Sequence, residues 1–393
     1  MDTNRIIKEV NKIEDDIIKL RHRLHQNPEL GYEEYDTSKL VTKTLKSLNL
    51  VVDNNIYTTG VSALLKGQNN EQTILLRADM DALAIQEKTD LPYASKKDGV
   101  MHACGHDVHT AIVLGAAVVL KELEAELKGN VKFVFQPAEE QEGGALGMIE
   151  NGVLEKPKVD AALGLHVWGS AQKGTIEIKY GSMMASPDRF LIKIKGEGGH
   201  AANPHQCKDP IVIATEVVQK FQNIISRKLE PTEPAVLSVC HIEGGNTHNV
   251  IPDEVLIEGT VRTLTEKTRH FIPEVMEKIL ANTTNTYEAD YELDYEYSFP
   301  PLINNKEMTD LVSKSADKIM GEKNVIKIEK PNMGGEDFAY FAQEVPSSYF
   351  YLGIAPSKDE VIKHHNSYFK VDDEVIADGI AVLVRSVFDY FDG

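Results

Sequence analysis

Two kinds of apolar pattern run along this chain, and one sheet cannot hold both. In the N-terminal part the apolar runs are continuous: Ser62–Lys66, Thr73–Ala78, Val131–Gln136 and Val159–Leu165. Strand-length runs of this kind mark strands buried on both faces, as in a sheet lying between helix layers. Ile6, Val10, Ile13, Ile17, Leu20 and Leu24 recur three or four apart, which predicts a helix over 6–24 that Asn27-Pro28 ends. Further helices are expected over 33–48 and over Asp107–Leu127, the latter with Asp107 as its N-cap. From Ser186 the pattern changes. Phe190, Ile192 and Ile194 now alternate with Arg189, Lys193 and Lys195, so only one strand face is dry.

The alternating stretch has its own order. After its first strand come a Gly-rich loop (196–210), a helix over 211–229, strands at Ala235–Ile242 and Val255–Arg262, a helix over Glu266–Asn282 and a strand at 291–297. That is β-α-β-β-α-β, the split arrangement of ferredoxin-like domains. Pro300-Pro301 closes it, and the first pattern resumes with a helix near 306–320, a strand at Tyr349–Ile354 and a terminal helix near 372–390. The expected fold class is α/β: a discontinuous domain of residues 1–185 plus 299–393, carrying an inserted α+β domain, 186–298. A chain of 393 residues suits this division, because one core rarely serves that length.

Charge removes some functions. Asp plus Glu number 61 against 42 Lys plus Arg, a net charge of −19. Nucleic acid and anionic lipid both need clustered basic residues, so neither is expected as a partner. No apolar run reaches the roughly 18 residues of a membrane span. The N-terminal MDTNRIIKEVNKIEDD lacks a secretory layout. Cys104, Cys207 and Cys240 are too few, and odd in number, for a disulfide scaffold; a reduced, cytoplasmic protein is expected.

The chemistry-bearing residues fall in several short segments. In His102-Ala-Cys-Gly-His-Asp-Val-His109, Cys104 and His106 sit two apart in a Gly-containing turn, where thiolate and imidazole can reach one cation. A buried thiol beside surface histidines would read the same way. Glu139 and Glu140 follow the strand VKFVF; a solvated acidic loop running on to Glu142 is the plainer reading. His166 ends another apolar run, and His364 and His365 follow the strand SYFYLGI; each fits an ordinary structural or surface histidine. Every segment, however, follows an expected strand or opens a helix. If the strands lie side by side, Cys104, His106, Glu140, His166 and one of His364 and His365 meet on one rim. That set exceeds the three protein ligands of a usual catalytic zinc site and suffices for two metals if one ligand bridges, a role thiolate sulfur can fill. Glu139 is then spare, placed to take a proton from metal-activated water. There is no G-x-S-x-G elbow and no Walker loop.

At this point the sequence resembles the dinuclear metallo-amidohydrolases and exopeptidases that include aminoacylases and carboxypeptidase-G-like enzymes, and within them the branch of hippurate hydrolases, auxin-conjugate hydrolases and N-acyl amino acid deacetylases. The resemblance spans the chain and rests on LRHRLHQNPELGYEE (20–34), RADMDAL (77–83), HACGHDVH (102–109), QPAEE (136–140), GLHVW (164–168), GGHAANPH (198–205), NVIPD (249–253), GTVRT (259–263) and GGEDF (334–338). It implies two divalent ions, zinc, manganese, cobalt or nickel, bridged by Cys104. His106 and His166 would complete one shell, Glu140 and His365 the other; His365 is taken over His364 for its spacing to Tyr368-Phe369. Glu139 would be general base and then acid, Asp81 would orient a ligand, and His200 of the inserted lid would steady the oxyanion. Asn249 and Arg262 would hold the substrate. The implied activity is hydrolysis of N-acyl amino acids, N-acetyl or N-benzoyl in type, by a metal-bound hydroxide, in a homodimer formed through the inserted domain. A dipeptidase or carboxypeptidase with the same site is the near alternative, and a non-catalytic metal or metabolite binder the distant one. This chain departs from the branch at Gly335, where Ser is frequent, and at Ser367, where Pro is frequent.

Overall fold

The computed structural model describes residues 1–69, 72–141 and 143–392, and the chain divides into two compact units. Glu142, the end of the acidic run, lies outside the described residues. The first unit is Met1–Gly181, Ile303–Lys330 and Asp337–Gly393; the second is Ser182–Leu302 with Pro331–Glu336. The second therefore starts and ends slightly outside 186–298 and takes in one further short segment.

The first unit is built on an eight-stranded mixed sheet. Its order is Val51–Asp53, Val61–Leu65, Asn130–Gln136, Thr73–Asp79, Ala161–Gln172, Ser347–Ala355, Ile176–Ile178, Val325–Lys327. Thr73–Asp79 runs parallel to both neighbours, and Ser347–Ala355 runs parallel to Ala161–Gln172. Every residue of Thr73–Asp79, Asn130–Gln136 and Ser347–Ala355 is buried, which is why these runs read as continuously apolar. Helices Thr3–Gln26, His106–Glu122 and Val375–Asp392 pack on one another beside the sheet. Glycines permit the close crossing of the last two. A Cβ on Gly115 would stand 2.3 Å from Ile380, and one on Gly379 would stand 2.6 Å from Ile112. Among the described residues no helix is long and apolar enough to cross a membrane.

Asp107 is not the N-cap of its helix. The helix begins at His106, after Gly105 at φ +92°, and Asp107 sits in the first turn with its carboxylate turned inward to Arg21 and His25. Burial beside two cationic partners outcompetes capping here. The helix also stops at Glu122, with a separate 3-10 turn at Glu124–Glu126. The strand expected to end before His166 continues to Gln172, so His166 lies inside it.

The second unit carries a four-stranded antiparallel sheet, ordered Ala235–Glu243, Glu254–Thr263, Ser186–Lys195, Asp290–Glu296. Helices Pro210–Asn223 and Glu266–Thr286 pack against it, with Ile192, Ile194, Phe221, Ile257, Ile272 and Met276 fully buried in the shared core. Chain order and sheet order together are those of a ferredoxin-like domain. Asp209 caps the first helix, accepting from the N–H groups of Ile211 and Val212, with Pro210 at the first helical position. Gly335 packs so close to Pro187 and Phe299 that a Cβ would stand 2.7 Å from Pro187 Cγ, so a serine there would require a shift.

Candidate metal centre

Parallel strands bring their carboxyl ends to one edge of the sheet. Asp79 and Asp81 follow from Thr73–Asp79, and Glu139 and Glu140 from Asn130–Gln136. The turn before helix His106–Glu122 supplies Cys104 and His106. Gly105 makes this turn possible: its φ is positive, and a Cβ would stand 2.4 Å from Val167.

The ligand atoms of Cys104, His106 and His166 lie within 4.8 Å of one another, and so do those of Cys104, Glu140 and His365. Cys104 belongs to both groups. A third group joins His106, Glu139 and Glu140. Cys104 Sγ is 3.3 Å from His166 Nε2. His365 Nε2 is 3.0 Å from Glu140 Oε1. The site therefore brings together every metal-ligand candidate read from the sequence, together with Glu139.

Hydrogen bonds fix which ring nitrogen each histidine offers. His166 donates from Nδ1 to the Val167 carbonyl (2.6 Å), which leaves the Nε2 lone pair toward Cys104. His106 Nδ1 is 3.0 Å from Asp81 Oδ1, while its Nε2 is buried without a hydrogen-bond partner. Asp81 Oδ2 also accepts from the Glu140 N–H (2.9 Å), so one carboxylate orients a candidate ligand from each group. His109 is different. It meets Asp79 through Nδ1 (2.7 Å) and accepts from the Val167 N–H at Nε2 (2.9 Å), so it has no lone pair left for a cation. His364 likewise accepts from the Gly169 N–H at Nε2 (3.0 Å), and burial with the neighbouring His365 pushes its pKa down to about 3. His365 has a left-handed backbone, φ +54°, held by its N–H bond to the Ala103 carbonyl (2.9 Å). Of the adjacent pair, it is His365 that reaches Glu140.

Electrostatics suit divalent cations. Burial raises the Cys104 thiol well above its usual range, and the carboxylates of Glu140, Glu139 and Asp79 raise it further. Burial opposes protonation of His106, yet Asp79, Asp81 and Glu140 outweigh it and push that imidazole up to about 10. A pocket that draws positive charge, with soft and hard donors in two groups of three sharing a sulfur, fits a pair of cations; each would displace protons on binding.

The supporting residues were not singled out from the sequence. Arg77 is buried and donates to Asp79 (2.7 Å), Gln136 (2.8 Å) and Asp337 (2.9 Å). Glu34 accepts from Thr59 Oγ1 (2.5 Å) and from the Ala138 N–H (2.8 Å), holding Ala138 at φ +49° just before Glu139. A readable signal existed for Arg77 and Asp79: they are charges within a run otherwise patterned for complete burial.

His25 sits between Asp107 (2.8 Å) and Glu87 (3.3 Å). Burial opposes its charge, but these carboxylates win and push it from 6.5 up to about 9. The folded value is the higher one, so the stabilisation is complete below pH 6.5 and is lost as pH rises through about 9. Metal-free protein is expected to lose Tm across that window, and His25→Gln to flatten the loss. Calorimetry showing the same slope in both proteins would refute this.

The substrate-side candidates lie in the second unit. His200 and Asn249 adjoin on a short ribbon of Gly199–His200 and Val250–Ile251, where the Ala201 N–H donates to the Asn249 carbonyl (3.1 Å). Both are exposed. His200 Nδ1 accepts from the Ala202 N–H (3.1 Å), which puts the ring proton on Nε2 as a free-standing donor group. Arg262 is half-buried in strand Glu254–Thr263 of the four-stranded sheet, opposite Val236, rather than on that ribbon.

Residues 75–389 match the description peptidase family M20/M25/M40. The chain is 44% identical over 308 residues to an N-acyl-L-amino acid amidohydrolase of Geobacillus stearothermophilus, covering 78% of this chain and 83% of that protein. It is 39% identical over 377 residues to thermostable carboxypeptidase 1 of Saccharolobus solfataricus, covering 95% and 94%. Among solved structures, a Bacillus subtilis protein described as a dinuclear metal binding peptidase of the M20 family superposes with a TM-score of 0.84 at 34% identity, covering 97% of this chain and 99% of that one.

Proposed function

This chain belongs to peptidase family M20/M25/M40, and on that footing we propose that it is a metal-dependent amidohydrolase cleaving the amide bond of N-acyl amino acids. One observation carries the reading. Two three-residue ligand groups share Cys104, and a further buried carboxylate, Glu139, stands beside them without being needed as a ligand.

Two divalent cations, from zinc, manganese, cobalt or nickel, would supply Lewis acidity and lower the pKa of water to about 7. Cys104 would hold both, with His106 and His166 on one and Glu140 and His365 on the other. Glu139 takes the proton of the attacking water and returns it to the leaving nitrogen, which must depart as an amine. His200 donates from Nε2 to the developing oxyanion. Asn249 and Arg262 hold the substrate, with the guanidinium on its α-carboxylate. Asp81 acts through His106 and Glu140, so Asp81→Ala is expected to weaken metal binding about 10–100-fold with an unchanged far-UV spectrum. Chelator competition measures it, and wild-type affinity in the variant would remove Asp81 from the account.

The likeness to a carboxypeptidase favours a second reading, in which the acyl group is itself an aminoacyl group. A panel decides: metal-reconstituted enzyme against N-acetyl amino acids, N-benzoyl amino acids and dipeptides, scoring released amino acid. Higher kcat/KM on the N-acyl substrates supports the amidohydrolase; higher kcat/KM on dipeptides overturns it. Binding without turnover on every substrate would leave a metabolite binder, a role for which Glu139 has no use.

A cytoplasmic setting is proposed from the free thiols of Cys104, Cys207 and Cys240. A homodimer is proposed through strand Ala235–Glu243. It is an edge strand that exposes Val236 and Ile242, the kind of surface a second copy covers.

A further inference from the structure

Arg21, in the segment Leu20–Glu34, has no role in the function proposed above, yet it is 1% exposed and both its Nε and its Nη1 are engaged. Nε donates to Asp107 Oδ2 (2.8 Å). Nη1 donates to Asp373 Oδ1 (2.7 Å), to the Val371 carbonyl (3.1 Å) and to Tyr93 Oη (3.0 Å). Apart from Tyr93, these partners come from two segments far apart in the chain. Asp107 follows His106 directly. Val371 and Asp373 lie on the irregular stretch that carries His365, between strand Ser347–Ala355 and helix Val375–Asp392. His22, next on the helix, adds a contact from Nε2 to Asp373 Oδ2 (2.8 Å) and stacks on Tyr93 at 3.6 Å. The same two segments also meet through the bond from the His365 N–H to the Ala103 carbonyl and through Cys104 Sγ, 3.9 Å from His364 Nδ1.

We propose that Arg21 is a positioning residue for the metal pair: one guanidinium holds the Cys104–His106 turn and the His365 stretch in register, so that Cys104, Glu140 and His365 can close on one cation. The inference rests on the dinuclear reading given above. The planar fork matters, because it aims donors at two carboxylates and a carbonyl in different directions. A lysine keeps the charge but cannot span those partners, so Arg21→Lys separates geometry from electrostatics.

The test uses the full chain, metal-free, titrated with cobalt(II) and followed by thiolate-to-cobalt absorption with chelator competition. Wild type is expected to bind two equivalents. Arg21→Lys is expected to keep its far-UV spectrum and to hold the second equivalent about 10–100-fold more weakly. Asp373→Ala, which removes the acceptor at a partly exposed residue, is expected to do the same if Arg21→Lys fails to fold. Arg269→Lys is the control; it breaks a similar buried fork, to Asp188 in the second unit, and is expected to leave cobalt affinity at the wild-type level. Wild-type affinity for both equivalents in Arg21→Lys, or in Asp373→Ala where that is the folded variant, overturns the proposal. An equal loss in Arg269→Lys also overturns it, since the effect would then be general destabilisation. Wild-type protein that takes up fewer than two equivalents overturns the dinuclear reading itself, on a separate readout.

Discussion

Glu139→Gln is expected to lower kcat by about 10²–10⁴-fold while two metal equivalents stay bound. Glutamine keeps the shape of the side chain and loses its negative charge together with the ability to take up a proton. Glu139 is 7% exposed, and its carboxylate belongs to a group with His106 and Glu140 in which all ligand atoms lie within 4.8 Å. It is aimed by the residue before it: Ala138 is in a left-handed conformation that costs on the order of 1 kcal/mol or more and is held by the bond from its N–H to buried Glu34. A backbone kept in that state to point one carboxylate at a cation site is hard to explain if the carboxylate is idle. Steady-state kinetics beside metal analysis separates the outcomes. Low kcat with full metal supports proton transfer by Glu139. Low kcat with lost metal would make it a ligand. Near-normal turnover with full metal would leave water activation to another group.

Much of this centre is legible in the sequence because its ligands sit at sheet-controlled positions. Strand ends are readable from apolar runs, and the turn at Gly105 announces itself through a glycine between two donors. What the sequence hides is the partner of each donor. Nothing in HACGHDVH shows why His106 has a buried Nε2 without a hydrogen-bond partner while the two nitrogens of His109 are consumed by Asp79 and the Val167 N–H. For His364 and His365 the spacing to Tyr368-Phe369 gives the choice but not its physical reason, which is a hydrogen bond to His364 from Gly169 on a strand far away in the chain. Asp107 departs from its sequence pattern for a related reason. Local pattern favours an N-cap, and only the buried Arg21 and His25 of a different helix turn its carboxylate inward. The short strands Ile176–Ile178 and Val325–Lys327 are not legible in the sequence, because a three-residue strand leaves no periodicity to detect.

Cys104→Ala is expected to abolish turnover by emptying both cation positions together. Without the shared sulfur, one position keeps only His106 and His166 and the other only Glu140 and His365. Each is then short of the three protein ligands of a usual catalytic zinc site. Removing an unshared ligand, as in His166→Ala, should instead spare the other cation, so metal stoichiometry tells sharing from mere proximity. Stability supplies an independent reading. Metal bound only by the folded state stabilises it by mass action, by about 2.7 kcal/mol at a hundredfold excess over Kd, and so raises Tm. In Cys104→Ala the metal-free Tm should stay near that of wild type, because a small, uncharged, buried thiol is exchanged for a small apolar group, while the metal-induced rise should vanish. Cys104→Asp should recover part of both the rise and the turnover, since two carboxylate oxygens can meet two cations. A Cys104→Ala protein that still binds two equivalents with the wild-type rise in Tm would mean that the groups on either side of the sulfur are separate sites, and that water at Glu139 faces one cation rather than a pair.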